Sequence, residues 1–288
     1  MELENFGLVY KDYDLCNNNT YRLHSNCDYF MIVNDVVKLI NLINYLNKNN
    51  IKYFIIGNGS NIILPDEYKG VVIKLDFNKI EYNGHKVIVG SSYMLNKLAL
   101  DCINNGLIGL EWAAGIPGTI GAAVIGNAGA YNDEIGAYLE EIEVLENNKV
   151  KIIKKNDIFF EYRNTSLKKR NLVILKVALN LRKGDKEEAL CLVKDRAERR
   201  RKSQPLDYPN AGSVFRNPNG YFAGKLIEDL GLKGKKINDA EVSEKHANFI
   251  INKGSASSKD IRDLIKLIHT EVFNKYGIDL YLEQEIID

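Results

Sequence analysis

Hydrophobic periodicity divides the chain into short helices and strands. From Val33 to Asn49, apolar residues recur at helical spacing and end in a polar NKNN run, which predicts a helix. Another helix is predicted at about Leu95–Asn104, and one more in the small-residue stretch after Pro117. Short apolar runs predict strands at Tyr53–Ile56, Ile62–Leu64, Val71–Leu75, Val87–Val89, Ile142–Leu145, Lys151–Ile153 and Leu172–Leu181. Because strands and helices do not alternate regularly, the pattern favours a mixed α and β fold over a doubly wound sheet.

The character of the chain changes after Lys183-Gly184-Asp185. A highly charged helix is predicted from about Lys186 to Lys202, and Gln204-Pro205 ends it. The elements predicted beyond it are, in order, helix Phe222–Leu230, strand Asn248–Ile251, helix Ser258–Tyr276 and a closing strand near Asp279–Ile287. We therefore expect a boundary between a nucleotide-binding unit and a C-terminal unit in the region 184–204.

Charge and composition exclude several classes of protein. The 288 residues include 39 basic and 38 acidic side chains, a net charge of +1, whereas nucleic-acid or membrane binding needs a basic excess on one face. The first residues lack the basic-then-apolar order of a signal peptide, and no apolar run reaches the roughly 18 residues of a membrane helix. The four cysteines form no CxxC pair and are expected to be reduced. We predict a cytoplasmic protein.

Two glycine-rich segments have the composition of phosphate-binding loops. The first is Gly57-Asn58-Gly59-Ser60-Asn61, and the second is GIPGTIGAAVIGNAGAY at residues 115–131. The first does not fit a dinucleotide fingerprint, because Ile62 stands where the third glycine belongs, and no Walker GKS or GKT occurs in the chain. The alternative of a simple tight turn stays open for the first segment. The glycines and alanines of the second segment better suit backbone packed against a large flat ligand.

Three polar residues are candidate catalytic groups. Arg163 offers a planar charged fork for a carboxylate or phosphate, although a lone arginine more often makes a surface ion pair. Ser213, in AGSVFRNP, lacks a GxSxG elbow and a nearby histidine, so it is a candidate proton donor rather than a hydrolase nucleophile, or else a turn residue. Glu283 ends the last apolar stretch, where the ordinary alternative is an edge-strand charge.

The other titratable residues give weaker signals. The four histidines form no spaced pair and the cysteines no cluster, so no metal site is predicted. The basic residues at the end of the charged helix suit its C-terminal dipole and could also meet a pyrophosphate: Arg196, Arg199, Arg200, Arg201 and Lys202.

Taken together and in order, the motifs resemble those of the UDP-N-acetylenolpyruvoylglucosamine reductase family. They are IIGNGSNIIL, GLEWAAGIPGTIGAAVIGNAGAY, EYRNTSL, NAGSVFRNP and AEVSEKHANFIIN, and the match runs from about Asn18 to the C-terminus. The resemblance implies an α+β fold with a vanillyl-alcohol-oxidase-type FAD-binding domain of two α+β subdomains and a C-terminal α+β substrate-binding domain. It also implies noncovalent FAD, NADPH as reductant and the enolpyruvyl ether of a UDP-sugar as substrate, which is reduced to UDP-N-acetylmuramate for peptidoglycan synthesis.

Carried over motif by motif, the resemblance implies roles for individual residues. The implied catalytic residues are Arg163, Ser213 and Glu283: hydride addition leaves an enolate that Arg163 stabilises, Glu283 polarises and Ser213 protonates. The implied substrate contacts are Tyr162, Lys202 and Asn217, with no metal ligand. The implied FAD contacts are Gly57, Asn58, Gly59, Ser60, Asn61, Pro117, Gly118, Ile120, Gly121, Ala122, Ile125, Asn127, Gly129, Tyr131 and Arg200.

Spacing and local departures refine this interpretation. The sequence between Arg163 and Ser213 is too short for the additional loop with a substrate-binding tyrosine that the longer form of the family carries, so the chain is expected to be of the shorter form. The segment Leu23–Cys27 stands where many members have a Gly-Gly pair, so it is expected to contact FAD differently or not at all.

The resemblance also suggests domains and partners. We expect FAD-binding subdomains at residues 1–60 and 61–184 and a substrate-binding domain at 185–288, with the last strand able to return to the FAD-binding part. The chain is expected to be a monomer whose partner is a small-molecule UDP-sugar, with no nucleic acid and no membrane insertion.

Two other functions stay open at this point. An oxidase on the same fold would use O₂ and would favour covalent FAD through a histidine, for which His24 is the only weak candidate. A catalytically inactive nucleotide-sensing module is the second alternative, and the presence of Arg163, Ser213 and Glu283 argues against it.

Overall fold

The structure, a computed structural model, describes residues 3–288. Its helices are α1 Val36–Lys48, α2 Leu95–Asn104, α3 Ile120–Gly126, α4 Ile135–Tyr138, α5 Lys186–Ser203, α6 Ala223–Asp229 and α7 Ser258–Tyr276. Across this described part of the chain, no helix combines the length and the apolar character that crossing a membrane requires.

The strands form two larger sheets and several small ones. They are β1 Leu8–Asp14, β2 Asn26–Val33, β3 Tyr53–Ile56, β4 Ile62–Ile63, β5 Glu67–Leu75, β6 Ile80–Asn83, β7 Lys86–Gly90, β8 Leu107–Ile108, β9 Gly129–Ala130, β10 Asp133–Glu134, β11 Leu139–Glu146, β12 Lys149–Lys154, β13 Phe160–Glu161, β14 Asn164–Thr165, β15 Leu172–Asn180, β16 Arg182–Lys183, β17 Lys236–Ile237, β18 Ala240–Val242, β19 Ile250–Asn252 and β20 Glu285–Ile286. One sheet has the order β1-β2-β5-β3, with β3 and β5 parallel, and the other has the antiparallel order β12-β11-β15-β7-β6. A three-stranded sheet, β17-β18-β19, and the parallel pair β20-β4 are separate.

The chain divides into two compact units, each built from three segments of sequence. Unit 1 consists of the N-terminal residues to Tyr10, Phe30–Gly57 and Val71–Glu198, and unit 2 consists of Lys11–Tyr29, Asn58–Gly70 and Arg199–Asp288. The core of unit 1 includes apolar side chains of β7, β11, β15, α2 and α3 together with the buried Trp112. The core of unit 2 joins α6 and α7 to the three-stranded sheet and to Phe215. Neither unit is therefore a continuous stretch of sequence.

Local sequence explains where the amphipathic helices begin and end. The Asp35 side chain accepts a hydrogen bond from the Lys38 N–H at 2.8 Å and caps α1, whose buried leucine and isoleucine side chains share one face. Ser257 and Asp260 form a capping box at the start of α7, and Gly277 ends that helix with a φ of 67°.

The structure confirms the α+β class and most of the predicted elements. α1, α2, α5 and α7 lie where helical spacing predicts them, and β3, β7, β11, β12 and β15 fall on the predicted strands. The first glycine segment lies between β3 and β4, as expected. One of the boundaries between the two units, from Glu198 to Arg199, lies inside α5, and the others lie before Gly70–Val71 or at that point, so the expected division into domains stays a prediction. The four cysteines are unpaired.

The strands differ from the expectation at both ends of the chain. The pattern does not predict β1 or β2, and β1 is largely exposed and alternates too weakly to stand out. The pattern predicts a closing strand near Asp279–Ile287, and the structure has there the short strand β20 and one isolated bridge between Phe215 and Leu282. The reason is that the tail has two partners, the Ser213 segment and then β4, and changes from one to the other near Gln284.

Candidate functional site

Gly57, the first residue of the first glycine-rich segment, lies in unit 1 and packs on the second segment. It follows β3, and a Cβ built on it would lie 3.1 Å from Thr119 Oγ1 and 3.7 Å from the Ala122 Cβ. Thr119 is the N-cap of α3, so glycine at position 57 allows the end of β3 to pack on the start of that helix. Within unit 1, the first residue of the first glycine segment therefore packs on the start of the second.

The first turn of α3 is bonded inside unit 1. The N–H groups of residues 120–122 donate to Tyr93 O and Ser91 O, each at 2.9 Å, and to Thr119 Oγ1 at 3.4 Å. Gly121 is required for this packing, because a Cβ there would lie 2.9 Å from the Ser91 Cβ. An anion bound near this helix would therefore have to accept hydrogen bonds from donors other than these three amides.

Gly59 sets the shape of the first glycine segment in unit 2. Its φ is +62°, and a Cβ on it would overlap the Asn18 carbonyl oxygen. The Gly59 carbonyl accepts hydrogen bonds from the Thr20 N–H at 3.0 Å and from Thr20 Oγ1 at 3.3 Å. Within residues 3–288, the amides of Gly59, Ser60 and Asn61 find no acceptor. Successive unused N–H groups beside a left-handed residue form a concave site for an anion.

This loop has the features that a pyrophosphate site needs. A pyrophosphate needs several N–H donors and a close approach of the backbone, and residues 59–61 offer both where a larger side chain at position 59 could not be accommodated. The geometry is compatible with the expectation that the first glycine segment contacts the phosphates of FAD, which stays a prediction.

Arg163 lies in a strained two-residue turn in unit 1. It follows Tyr162 between β13 and β14, and its φ of 56° is in the left-handed region that non-glycine residues rarely adopt. Its guanidinium carbon lies 5.2 Å from the centre of the Tyr162 ring, in a cation–π arrangement. Such a conformation persists only when the surrounding structure fixes the turn.

Two buried side chains fix the Arg163 turn to α3. Thr165 Oγ1 donates to Ile125 O at 2.7 Å, and Asn127 Nδ2 donates to Glu161 O at 3.0 Å. Asn127 is completely buried with a φ of 45°, and its Oδ1 accepts a hydrogen bond from the Gly136 N–H at 3.3 Å. One polar atom of Asn127, an implied FAD contact, thus holds the hairpin that carries Arg163, and the other holds α4.

In unit 2, Ser213 begins a segment held by hydrogen bonds from a buried asparagine. Asn248 Oδ1 accepts from the Phe215 N–H at 3.0 Å, and Asn248 Nδ2 donates to Phe215 O at 2.8 Å. The Asn248 carbonyl also accepts from the Val214 N–H at 2.9 Å. Just before Ser213, Gly212 has a φ of +77°, which turns the chain.

The C-terminal tail joins the Ser213 segment to the phosphate loop. The Glu283 N–H donates to Val214 O at 2.9 Å, while Asn61 Nδ2 donates to Glu283 O at 3.1 Å. The Glu285 N–H then donates to Asn61 O at 2.9 Å, and β20 pairs in parallel with β4. Unit 2 therefore brings together the loop that fits pyrophosphate, the predicted proton donor Ser213 and the predicted carboxylate Glu283.

The other predicted contacts lie in their units as follows. In unit 1, Tyr131 Oη donates to Arg196 O at 3.2 Å, and the Arg196 guanidinium carbon lies 4.6 Å from the centre of its ring. In unit 2, Arg200 Nε donates to Gln204 Oε1 at 3.2 Å, and Asn217 Oδ1 accepts from the Ala223 N–H at 3.0 Å, which leaves the Asn217 NH₂ group for a ligand. Tyr162 and Lys202 are exposed.

Sequence reasoning misses the residues that hold the site. Tyr21, Asn248 and Gln284 are all buried, and each hydrogen-bonds to backbone or to another of the three. The sequence could have indicated such residues only as polar positions inside an otherwise apolar stretch, as Asn248 is in ANFII. This pattern does not show which group the side chain bonds. Among residues 3–288, no group of three or more His, Cys, Asp or Glu side chains could hold a metal ion. His24 Nδ1 lies 2.6 Å from Asp14 Oδ2 on the surface.

Comparisons with known proteins identify the family of the chain. Residues 27–151 match the family model described as FAD binding domain, and residues 204–287 match that described as UDP-N-acetylenolpyruvoylglucosamine reductase, C-terminal domain. The chain is 43% identical to the UDP-N-acetylenolpyruvoylglucosamine reductase of Clostridium novyi over 94% of its length and 89% of the relative. It is 45% identical to that of Clostridium kluyveri over 90% and 84%. The crystal structure of UDP-N-acetylenolpyruvylglucosamine reductase from Thermus caldophilus superposes with a TM-score of 0.84 at 30% identity, over 98% of this chain and 99% of that one.

We expect Gly59→Ala to lose FAD. The substitution places a Cβ against the Asn18 carbonyl and strains a left-handed residue, so the loop must shift and its amides move from their present positions. The matched control is Gly84→Ala, because Gly84 has a φ of +61° but open space around its Cβ position. Both variants incur the left-handed penalty of roughly 1–2 kcal/mol. Flavin content per chain after purification is the measurement. Equal flavin content in the two variants would contradict the assignment of this loop.

Proposed function

The chain belongs to the UDP-N-acetylenolpyruvoylglucosamine reductase family, and we propose that it reduces UDP-N-acetylenolpyruvoylglucosamine to UDP-N-acetylmuramate with NADPH as the source of electrons. It is an FAD-binding oxidoreductase of peptidoglycan precursor synthesis. The proposal includes noncovalent FAD, a monomeric enzyme, and a cytoplasmic location. It also includes the functional division into FAD-binding residues 1–184 and substrate-binding residues 185–288.

One observation carries the proposal. In unit 2, the tail residue Glu283 is hydrogen-bonded both to the Ser213 segment, through Val214, and to the phosphate loop, through Asn61. A binding module would need only the loop. Here the tail that carries the carboxylate of Glu283 is also bonded to the loop and to the segment of the proton donor Ser213. This arrangement suits a reaction beside the cofactor, and it supports a catalytic role over nucleotide sensing.

The three predicted residues divide the chemistry between them. When bound, FAD supplies the hydride that adds to the vinyl carbon of the enolpyruvyl group. We propose that the Arg163 fork binds the substrate carboxylate and stabilises the enolate, as a planar guanidinium does for two oxygens at once. Ser213 donates a proton to the carbon that bears the ether oxygen, and the basicity of the enolate makes a serine hydroxyl sufficient. Glu283 polarises the same intermediate by hydrogen bonding.

The proposed function is tested by separating the two half-reactions under anaerobic conditions. We expect NADPH to bleach the flavin absorption, and the enolpyruvyl substrate to restore it in the absence of O₂. A simple alcohol should have no effect on the oxidised flavin. Denaturation should release all yellow colour, because the proposed FAD is noncovalent. Reoxidation by O₂ but not by the enolpyruvyl substrate would indicate an oxidase and contradict the proposal.

For Ser213→Ala we expect a selective loss of the second half-reaction. Reduction of the flavin by NADPH requires no proton on carbon and should stay near the wild-type rate. Reoxidation by the substrate should slow by roughly 10²–10⁴-fold, the usual contribution of a general acid. Rapid-mixing absorbance measures both steps.

Ser213→Cys is the conservative comparison, since a thiol is small and can donate a proton, and it should recover part of the rate. In D₂O the wild-type product should carry deuterium at the carbon that bears the ether oxygen. Wild-type reoxidation in Ser213→Ala would show that another group is the acid.

The predicted carboxylate can be tested against its neighbour. Glu283→Gln should slow flavin reoxidation by roughly 10²-fold if that carboxylate acts on the intermediate. Glu285→Gln is the matched comparison, because Glu285 lies two residues further along the same tail and its backbone is also bonded to Asn61. If Glu285→Gln loses the second half-reaction while Glu283→Gln retains it, the catalytic carboxylate is Glu285 and the assignment to Glu283 is wrong.

A further inference from the structure

Tyr21 and Gln284 form a buried polar pair in unit 2. Tyr21 is 0% exposed and Gln284 is 3% exposed. Tyr21 Oη lies 3.1 Å from Gln284 Oε1, and Gln284 Nε2 donates to Ala211 O and Gly212 O, each at 3.2 Å. The pair therefore connects the N-terminal segment, the tail and the residues immediately before Ser213.

Hydrogen-bonding capacity fixes the direction of this network. Carbonyl oxygens only accept, so Gln284 must present its NH₂ group to Ala211 and Gly212 and leave Oε1 for Tyr21. Burial raises the pKa of the Tyr21 phenol, which keeps its proton and donates to Oε1. Both atoms of the Gln284 amide are then satisfied, and rotation of the amide by half a turn would place an acceptor against two acceptors.

Tyr21 is itself held in position by its backbone. Asn252 Nδ2 donates to Tyr21 O at 2.9 Å, while Asn252 Oδ1 accepts from the Gly254 and Ala256 N–H groups, each at 3.0 Å. The preceding residue, Thr20, donates to Gly59 in the phosphate loop. The phenol thus projects from a segment that is bonded to the phosphate loop and to the core of unit 2.

The segment before Ser213 is fixed by these bonds and by the burial of Ala211, whereas Gly212 itself has no packing partner. Gly212 has a φ of +77°, and no atom lies within 4 Å of the position of its Cβ. Shape alone therefore does not confine the turn there. The bonds from Gln284 to the two carbonyls, and one from the Gly212 N–H to Asn210 Oδ1 at 3.0 Å, set the path of the chain into Ser213.

We propose that Tyr21 and Gln284 are positioning residues that orient Ser213 for proton donation to the enolate. The inference rests on the proposed function, in which Ser213 is the general acid. Neither side chain need touch the substrate or the cofactor: Gln284 acts through the Gly212 carbonyl, and Tyr21 acts by fixing the amide of Gln284.

Tyr21→Phe is the primary test, because it keeps the ring and removes only the hydroxyl. We expect flavin reduction by NADPH to be unchanged and reoxidation by the enolpyruvyl substrate to slow by roughly fivefold, the effect of about one hydrogen bond. Gln284→Met, which removes all three bonds, should slow reoxidation by roughly 10- to 100-fold. Tyr138→Phe is the matched control, since it deletes a part-buried phenol that donates to Asp133 in unit 1, and both half-reactions should keep their wild-type rates.

A double-mutant cycle separates positioning from general stability. In a Ser213→Ala background, Tyr21→Phe should cause no further slowing, because the residue that it positions is gone. Hydrogen exchange of the peptide spanning 210–216, measured on flavin-free protein, should be faster in Tyr21→Phe than in wild type and unchanged in Tyr138→Phe.

The same fivefold loss in both backgrounds, or unchanged exchange in the 210–216 peptide, would overturn the positioning role. Wild-type enzyme whose reduced flavin is not reoxidised by the enolpyruvyl substrate would instead contradict the proposed function, and the positioning role with it. Normal wild-type reoxidation together with normal reoxidation in Tyr21→Phe would contradict the positioning role alone.

Discussion

The hydrogen bonds of residues 283–285 are the interaction on which the organisation of unit 2 depends. Backbone groups of the tail bond to the loop at Asn61 and to the segment at Ser213, so both are held by the same short stretch of chain. Two of these bonds, from the Glu283 N–H to Val214 O and from the Glu285 N–H to Asn61 O, join main chain to main chain, so their geometry does not change with the rotamer of any side chain. The chemistry of the site can therefore rest on a few side chains while its dimensions are set by the main chain.

A second constraint is the fully buried polar side chain. Asn127 in unit 1 and Asn248 in unit 2 each use both ends of an amide to fix a neighbouring backbone, and Gln284 does the same beside Ser213. Such groups are expensive to bury without partners, so each one specifies a single arrangement of its surroundings. In unit 1, Asn127 fixes the hairpin that carries Arg163. In unit 2, Asn248 fixes the segment that carries Ser213. Both are predicted catalytic residues.

How much of the structure could be predicted from the sequence depends on how far apart in the sequence the interacting residues are. α1 and α7 were predictable because periodicity, capping residues and a terminal glycine are local signals. The turn at Gly59 was predictable from glycine content, whereas its binding of phosphate stays a prediction. The pairing of Asn61 with Glu283 was not, because neither residue carries a sign of a partner more than two hundred positions away. β1 was missed for a different reason: an exposed strand has little hydrophobic alternation to detect.

The parallel pairing of β20 with β4 has a consequence for how the protein is made. β4 leaves the ribosome more than two hundred residues before Glu285 and Ile286 are added. Since emerging chains fold as far as their available contacts allow, the loop at Asn61 must wait for the synthesis of residues 283–286 before its partner exists. A nascent chain can therefore complete its five-stranded sheet, which ends at Asn180, while the loop at Asn61 still lacks its tail contacts.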